Sequence, residues 1–313
     1  MCYSDCKRRV SLCHVERSEL ASVVETSRRL AAAHINVKLI TRRYIIMNLA
    51  EFSKQIRRET LRCIHSQGSG HVGGSLSIAD LLAVLYSNHM RVDPKDPKKE
   101  GRDRLVLSKG HAGPALYATL ALKGFFPMDW LDTLNKLGTR LPSHVNINLT
   151  PGVDMTAGSL GQGLSCACGL ALGEKIKHGS GYVYAICGDG ELQEGQNWEA
   201  VMFAANKKLD NLIVFVDNNK MQIDGMTRDV MNVEDIEAKF KAFGFVTTRV
   251  DGHNHAAIDQ AICLAKAEAG APHCIVLDTV KGKGVSIYET MGAGVHSTTV
   301  NDEQYALALN ELK

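Results

Sequence analysis

Two short polar turns in the second half of the chain carry residue types that bind metal ions and phosphates. They read Gly188-Asp189-Gly190 and Asp217-Asn218-Asn219, and each follows a short apolar run. Mg²⁺ and Ca²⁺ prefer carboxylate and amide oxygens, and glycine lets a phosphate approach the backbone closely. On its own, each turn is more typical of an ordinary loop, because Gly, Asp and Asn are common turn formers. Their pairing across one predicted helix indicates a metal-diphosphate site at Asp189 and Asn219.

The elements that must position these turns alternate along the chain. Apolar β-branched runs predict strands, and a 3.6-residue apolar period predicts helices. Such alternation is typical of βαβ units, so we predict an α/β fold with a mostly parallel central sheet and helices on both faces. Ligands of such sheets bind beyond the carboxyl ends of the strands, where both turns lie. The predicted strands are 104–107, 182–187, 212–216, 245–250 and 274–280, and the predicted helices are 48–66, 77–89, 114–123, 159–178, 194–208, 232–243 and 255–269.

Two local motifs near the start of the fold bear on this interpretation. Ser77, followed by Asp80, is typical of an N-cap and predicts that the helix 77–89 begins there. The segment Gly68–Gly73 fits the G-x-G-x-x-G pattern of dinucleotide-binding proteins. That pattern must follow a strand, whereas here it follows a predicted helix, so we reject a dinucleotide site.

The first 46 residues differ from the rest of the chain in charge. They carry nine Lys or Arg and four Asp or Glu, whereas the whole chain has a net charge of only +2, so the remainder is acidic. This distribution excludes the basic surface of a nucleic-acid-binding protein. We expect residues 1–46 to be a disordered leader, or the result of a start site assigned too early, with Met47 as the true first residue. Residues 47–313 then form the functional domain.

Cysteine content and hydropathy indicate a cytoplasmic protein. The nine cysteines are odd in number and irregularly spaced, which is typical of reduced thiols rather than a disulfide framework. Cys166 and Cys168 lack a second pair at zinc spacing, so core packing is the better interpretation of both. No apolar run is long enough to span a bilayer, so we expect no membrane association.

Several short motifs, in unbroken order from Met47 to the C-terminus, resemble those of the transketolase family. The two turns described above resemble its thiamine-diphosphate signature. The resemblance implies the thiamine-diphosphate-binding fold and the N-terminal, cofactor-binding half of a transketolase. The matching segments are Ser69-Gly70-His71, Ser108-Lys109-Gly110-His111, Leu141-Pro142-Ser143-His144, Gly158-Ser159-Leu160-Gly161-Gln162-Gly163, Gly188–Gly195, Asn219–Gly225 and Lys281-Gly282-Lys283-Gly284.

The resemblance also implies which residues bind thiamine diphosphate and its metal ion. The side chains of Asp189 and Asn219 and the carbonyl of Met221 would bind Mg²⁺, with Ca²⁺ or Mn²⁺ as substitutes. Ile223 would pack on the ring system, although Leu160 and Ile223 are apolar types that also suit a plain core position. The implied cofactor contacts are His111, Gly158, Ser159, Leu160, Gly188, Asp189, Gly190, Asn219 and Ile223.

Four histidines match the positions that surround the donor sugar in transketolases. His71, His111 and His144 each follow a Gly or Ser in a predicted loop. Imidazole hydrogen-bonds hydroxyls and transfers protons near neutral pH. A lone loop histidine is more typical of a solvated surface, but three at motif positions favour a catalytic role. His296 resembles a further family histidine, although Ser297 stands where the family usually has glycine.

Glu194 matches the residue that, in this family, hydrogen-bonds an activating glutamate across an interface. Its alternative is an acid in the first turn of a helix, where the dipole favours it. The activating glutamate itself comes from a pyrimidine-binding domain that normally follows this one. The resemblance therefore implies a separately encoded partner, the C-terminal subunit, in an α2β2 assembly with the active site at the interface.

The implied reaction is transfer of a two-carbon ketol unit from a ketose to an aldose. The substrates would be sugar phosphates of the pentose phosphate pathway or of a specialised sugar route. Two alternatives stay open: half of another thiamine enzyme, similar to deoxyxylulose-phosphate synthase, or a non-catalytic cofactor-binding subunit. The intact Asp189, Asn219 and histidines argue against the non-catalytic alternative.

Overall fold

The computed structural model describes residues 49–313. The predicted leader, residues 1–46, lies outside the described residues, and so does the alternative first residue Met47. None of the helices in the described part is long and apolar enough to cross a membrane.

The centre of the fold is a sheet of five parallel strands. The strands along the chain are β1 (Ser69–Gly70), β2 (Arg104–Leu107), β3 (Val183–Gly188), β4 (Leu212–Asn218), β5 (Met221–Gln222), β6 (Gly225–Met226), β7 (Val246–Asp251), β8 (His273–Asp278) and β9 (Thr298–Thr299). Five of them form the parallel sheet in the order β2-β3-β4-β8-β7, and β1–β9 and β5–β6 are short antiparallel pairs. The predicted parallel sheet is confirmed, with strand ends displaced by at most two residues.

The helices fall close to their predicted positions. The first is α1 (49–67), and a π-helical turn (Leu85–His89) directly follows α3. The other helices are α2 (Gly73–Leu76), α3 (Ala79–Val84), α4 (Gly113–Leu122), α5 (Gln162–Ile176), α6 (Gly195–Asn206), α7 (Thr227–Val230), α8 (Ile236–Ala242), α9 (His255–Ala267), α10 (Ser286–Glu289) and α11 (Asp302–Glu311).

Alternate residues of the strands are buried on opposite faces of the sheet. On one face Val183, Val214 and Val276 pack in a cluster with residues of α5, α6 and α8. On the other face Tyr184 and Phe215 are fully buried, and α9, whose residues lie outside that cluster, contacts β7 and β8. The central strands β3 and β4 are buried along their whole length because both faces of the sheet are covered, whereas the edge strand β7 is half-buried to exposed. The predicted arrangement with helices on both faces is therefore confirmed.

The predicted N-cap at Ser77 is wrong. Ser77 has helical backbone angles, and α3 begins at Ala79 without a side-chain cap. The Ser77 hydroxyl donates instead to Asp217 Oδ2, at 2.8 Å. The hydroxyl that the local pattern assigned to a helix cap is therefore hydrogen-bonded to a buried carboxylate from a distant part of the chain.

The pair β1–β9 joins two segments that lie far apart in the sequence. Ser69 pairs with Thr299 and Gly70 pairs with Thr298. The first residue of α2 also approaches the segment before β9 closely, since a Cβ added at Gly73 would lie 2.8 Å from Val295 Cγ1. Only glycine permits that approach.

A buried ion cluster around Asp80 connects α1, α3 and the loop before α9. The Asp80 carboxylate accepts from both Nη atoms of Arg57, at 3.1 and 2.6 Å, and lies 3.0 Å from His255 Nε2. His253 Nε2 accepts from the Val280 N–H, so its Nδ1 carries the proton donated to Asp80 at 2.8 Å. Burial by itself would raise the pKa of Asp80, but these hydrogen bonds hold it well below its usual range.

Removing the Asp80 carboxylate should destabilise the fold strongly. We expect Asp80→Ala to lower the free energy of unfolding by about 3–5 kcal/mol, because Arg57 becomes an uncompensated buried charge. The control is Asp229→Ala, which breaks a pair with Arg228 whose side chains are 65% and 73% exposed, and which should change stability by less than about 1 kcal/mol. Urea unfolding measures both, and equal effects would contradict a structural role for the cluster.

Candidate active site

The two predicted polar turns meet at the carboxyl edge of the sheet. Strands β3 and β4 stay paired as far as Gly188 and Asp217, so the residues that follow them lie side by side. A cavity of about 350 Å³ opens at this edge, and the predicted ligands Asp189, Asn219 and Met221 are on its wall. The other predicted site residues on the wall are His111, Leu160, Gly188, Gly190, Glu194, Ile223 and His296.

The Asp189 carboxylate lies in surroundings that favour a bound cation. It accepts from two backbone N–H groups, at 2.9 and 2.6 Å. Even so, burial and the charge of Asp217 raise the pKa of Asp189 to about 7. A divalent cation next to the carboxylate would offset both effects. The Asp189 carboxylate, the Asn219 amide oxygen and the Met221 carbonyl are hard oxygen ligands, so these residues fit Mg²⁺.

The buried carboxylate of Asp217 connects this edge to three other segments. It accepts from Lys109 Nζ at 2.5 Å and from Ser77 Oγ at 2.8 Å, and Thr279 Oγ1 also donates to it. Burial by itself would raise the pKa of Asp217, but the Lys109 ammonium and the hydroxyl donors keep it below its usual range. Asn219 Nδ2 donates to the same carboxylate at 3.0 Å, which leaves Asn219 Oδ1 as the side-chain atom for a cation.

The four predicted histidines form one cluster beside the cavity. Each is supplied by a different segment of the chain, and the pairing of β1 with β9 brings His71 and His296 together. The ring centroids lie 5.2 Å apart for His71 and His111, 5.5 Å for His71 and His144, 5.4 Å for His71 and His296, and 4.9 Å for His111 and His296. A ligand that entered the cluster would therefore meet several imidazoles at once.

Burial and neighbouring positive charge keep these imidazoles neutral at pH 7. Burial lowers the pKa of His144 and, with contributions from His144 and Lys281, that of His71. Burial and the Lys109 charge lower the pKa of His111 well below its ordinary value. Burial and the Lys281 charge lower the pKa of His296 to about 4. A neutral imidazole has one donor and one acceptor, so the cluster can bind hydroxyl groups and accept a proton.

The remaining predicted residues differ in their placement. Ile223 lines the cavity with 62% of its surface exposed, so a plain core position, which its residue type also suited, is wrong. Leu160 is half-buried on the wall. Gly158 and Ser159 are not among the described residues on the wall. Gly158 lies beside His144, since a Cβ added at Gly158 would be 3.9 Å from the His144 ring. Glu194 is exposed at the N-cap of α6, and its side chain makes no cap hydrogen bond.

Besides Lys109, two buried charges in the site were not predicted from the sequence. Lys281 Nζ donates to the Met221 carbonyl at 3.2 Å and lies 3.3 Å from His296 Nδ1. The Glu191 carboxylate accepts from the Gly161 N–H at 2.9 Å and from Gly188 N–H at 3.0 Å, which holds two turns together. Lys281 follows β8 closely, so a wider search after strand ends would have found it, whereas no local pattern marks Glu191.

The lowered pKa of His296 should appear in the pH dependence of stability. Between about pH 6.5 and 4 the unfolded chain binds a proton at His296 that the folded chain does not, so folding stability falls as the pH falls. The His296→Asn variant should lose less stability on acidification than the unmodified chain. The expected difference is on the order of 1 kcal/mol, which allows for the partly exposed ring. The exposed His178 provides the control His178→Asn. Urea unfolding at pH 7 and pH 4.5 measures the difference, and parallel behaviour of both variants would contradict it.

Comparison with known proteins identifies relatives of nearly the same length. Residues 50–312 match the family described as transketolase, thiamine diphosphate binding domain. The chain is 51% identical over 267 residues to the 6-deoxy-6-sulfo-D-fructose transketolase subunit SqwG of Clostridium sp. (strain MSTE9). The matched residues make up 85% of this chain and 97% of that relative. It is 38% identical over 266 residues to one of the subunits of an apulose-4-phosphate transketolase from Actinobacillus succinogenes, which covers 85% and 96%.

Solved transketolase structures have the same fold. Transketolase from Leishmania mexicana superimposes with a TM-score of 0.80 at 33% identity, over 84% of this chain and 41% of that one. Transketolase from Campylobacter jejuni superimposes with a TM-score of 0.79 at 33% identity, over 84% and 42%. The chain thus spans less than half of these single-chain enzymes but nearly all of the relatives named as subunits. It therefore belongs to the transketolase family, as a thiamine-diphosphate-binding N-terminal subunit.

Proposed function

We propose that the cavity at the sheet edge holds thiamine diphosphate and Mg²⁺ for ketol transfer. The observation that carries this is the meeting of oxygen donors from Asp189, Asn219 and Met221 with a cluster of neutral imidazoles at one edge. Gly188 and Gly190 have no Cβ, so a diphosphate can approach the backbone there. When bound, thiamine diphosphate supplies the electron sink that cleavage of the carbon–carbon bond next to a carbonyl requires.

The charged residues on the cavity wall suit an anionic cofactor with its cation. Asp189, Asn219 and Met221 would bind the cation through oxygen atoms, and Ca²⁺ or Mn²⁺ would fit the same donors. Lys109 and Lys281 bring two ammonium groups to the wall, and their positive charge favours a diphosphate. Leu160 and Ile223 offer apolar surface for the cofactor rings, with Gly158 and Ser159 in the adjoining loop.

The histidine cluster would bind the sugar and transfer protons. Ketol transfer turns one hydroxyl of the donor into a carbonyl and releases its proton. A neutral imidazole can accept that proton and return it to the acceptor's new hydroxyl. Four such rings are present, and the centroids of neighbouring rings lie 4.9–5.5 Å apart. Lowered pKa values keep all four unprotonated at pH 7.

We further propose that a C-terminal subunit with a pyrimidine-binding domain completes the site in an α2β2 assembly. Glu194 is exposed at the rim, where a glutamate of that partner could reach it. On α5 and α6 the apolar residues Ile176, Met202 and Phe203 are 69%, 57% and 39% exposed, and we propose that the partner covers them. Buried cysteines such as Cys187 favour the cytoplasm, where thiols stay reduced.

The donor sugar is proposed to carry a terminal anionic group. The relatives matched over nearly their whole lengths are named for a sulfo-sugar and for a phosphorylated apulose. At 51% identity, the sugar in the name of SqwG is the first donor to test, and xylulose 5-phosphate of the pentose phosphate pathway is the second.

Activity should require both chains. We expect the full chain to transfer a ketol unit from 6-deoxy-6-sulfofructose or xylulose 5-phosphate to an aldose phosphate only when mixed with its C-terminal partner, thiamine diphosphate and Mg²⁺. Glu194→Gln should slow the mixture about tenfold or more while the chain still binds the cofactor. Glu199→Gln, an exposed glutamate on α6, is the matched control and should keep the activity.

Three outcomes would change this interpretation. Turnover by this chain alone would contradict the need for a partner. Turnover with pyruvate but not with a ketose would favour an enzyme similar to deoxyxylulose-phosphate synthase. Cofactor binding without turnover of any ketose or pyruvate by the mixture would favour a non-catalytic subunit.

Removing the Asp189 carboxylate should weaken cofactor and cation binding together. We expect Asp189→Ala to bind thiamine diphosphate at least about 100-fold more weakly in the presence of Mg²⁺, because a cation ligand is lost. Asp224→Ala removes an exposed carboxylate from the same cavity rim and should bind nearly as well as the unmodified chain. Isothermal titration calorimetry gives both constants, and equal weakening in the two variants would contradict a specific role for Asp189.

A further inference from the structure

A second cluster of metal-binding side chains lies away from the cofactor cavity. One ligand atom each from His89, Asp259 and Cys263 lie within 4.8 Å of one another. Asp259 and Cys263 are one turn apart on α9, so they lie on the same face of that helix. His89 is the last residue of the π-helical turn that follows α3.

This cluster involves α9 on one face of the sheet, and none of its three residues is on the wall of the cofactor cavity. Helix α9 starts after the carboxyl end of β7 and returns to the amino end of β8. Near its end, Lys266 Nζ lies 5.0 Å from the centroid of the Tyr182 ring, just before β3 begins. The cluster is therefore separate from the cofactor cavity.

The cluster is built into the protein on two sides and open on the third. The side chains of His89 and Asp259 are only 6% and 5% exposed, and His89 Nε2 lies 3.0 Å from Asp259 Oδ1. Asn88 Nδ2 donates to the same oxygen at 2.9 Å, while Asn88 Oδ1 is buried without a hydrogen-bond partner in residues 49–313. Cys263 is exposed, so solvent reaches the cluster from its side.

We propose that His89, Asp259 and Cys263 form a zinc site. An imidazole nitrogen, a carboxylate oxygen and a thiolate are the three kinds of donor that Zn²⁺ accepts, in tetrahedral geometry with water as the fourth ligand. Zinc bonds of 2.0–2.3 Å separate such donors by about 3.3–3.7 Å, so the 3.0 Å contact between His89 and Asp259 needs only a small opening. Mg²⁺ and Ca²⁺ prefer oxygen donors alone and would bind poorly here.

The surroundings of the three ligands support this assignment. The Asn88 amide donates to Asp259 and so orients the carboxylate, as partners of metal ligands commonly do. Lys266 Nζ donates to the His89 backbone carbonyl at 3.1 Å, which fixes the position of His89. A bound ion would connect α9 with the π-helical turn after α3, and so stabilise the packing of these two helical segments against each other.

Protection of the Cys263 thiol from alkylation provides a direct test. The full chain is reduced, treated with EDTA and reacted with iodoacetamide with or without zinc chloride, and each cysteine is followed by peptide mass spectrometry. We expect zinc to slow alkylation of Cys263 about tenfold or more and to leave the half-buried Cys166 on α5 unchanged. Magnesium chloride in place of zinc should have no effect.

Variants distinguish the proposed site from a thiol that binds zinc alone. Asp259→Asn and His89→Gln, checked for folding by circular dichroism, should lose the protection of Cys263. Because those residues are buried, a second measurement substitutes the exposed Cys263 and the half-buried Cys166 instead. The thiolate charge-transfer band of added Co²⁺ should disappear in Cys263→Ser and persist in Cys166→Ser. Unchanged alkylation of Cys263 with zinc, protection that survives in folded Asp259→Asn, or a cobalt band that survives in Cys263→Ser would overturn the proposal.

Discussion

The buried carboxylate of Asp217 is the group on which the geometry of the cofactor edge depends. It has no exposed surface at the end of β4, where an unpaired charge would be strongly destabilising. Lys109, Ser77 and Thr279, each from a different segment, donate to it. In the folded protein the buried carboxylate needs all of these donors to compensate its charge. The loops that supply them are therefore held at fixed positions around the cavity.

The same charges set the protonation states of the site. Burial and the Lys109 ammonium, which also keeps Asp217 ionised, lower the pKa of His111, and burial and Lys281 do the same for His296. The charge of Asp217 in turn raises the pKa of Asp189, which favours a cation at that carboxylate. The oxygen donors of Asp189, Asn219 and Met221 at the cofactor edge suit Mg²⁺, whereas the cluster of His89, Asp259 and Cys263 combines oxygen with nitrogen and sulfur donors and suits Zn²⁺.

Much of the fold was predictable because its signals are local. The apolar runs of β3 and β4 identify buried parallel strands, and the rule that ligands bind after such strands leads to Asp189 and Asn219. The loop histidines and Glu194 were recognised by resemblance in their motifs. Local patterns failed where a distant partner changed a residue's role. The Ser77 hydroxyl, for example, donates to Asp217 and does not cap a helix. They were also insufficient for Ile223, whose apolar type suits a core or a cavity wall equally.

The sequence by itself determined the order of strands and helices, the polar turns at the strand ends and the family to which they point, since each depends on neighbouring residues. Only the tertiary structure decided which of those residues meet. The pairing of β1 with β9 brings His71 to His296, and the burial of Asp217 draws Lys109 to the cavity. Contacts between segments so far apart depend on packing and on compensation of buried charge, and neither is encoded in a local pattern.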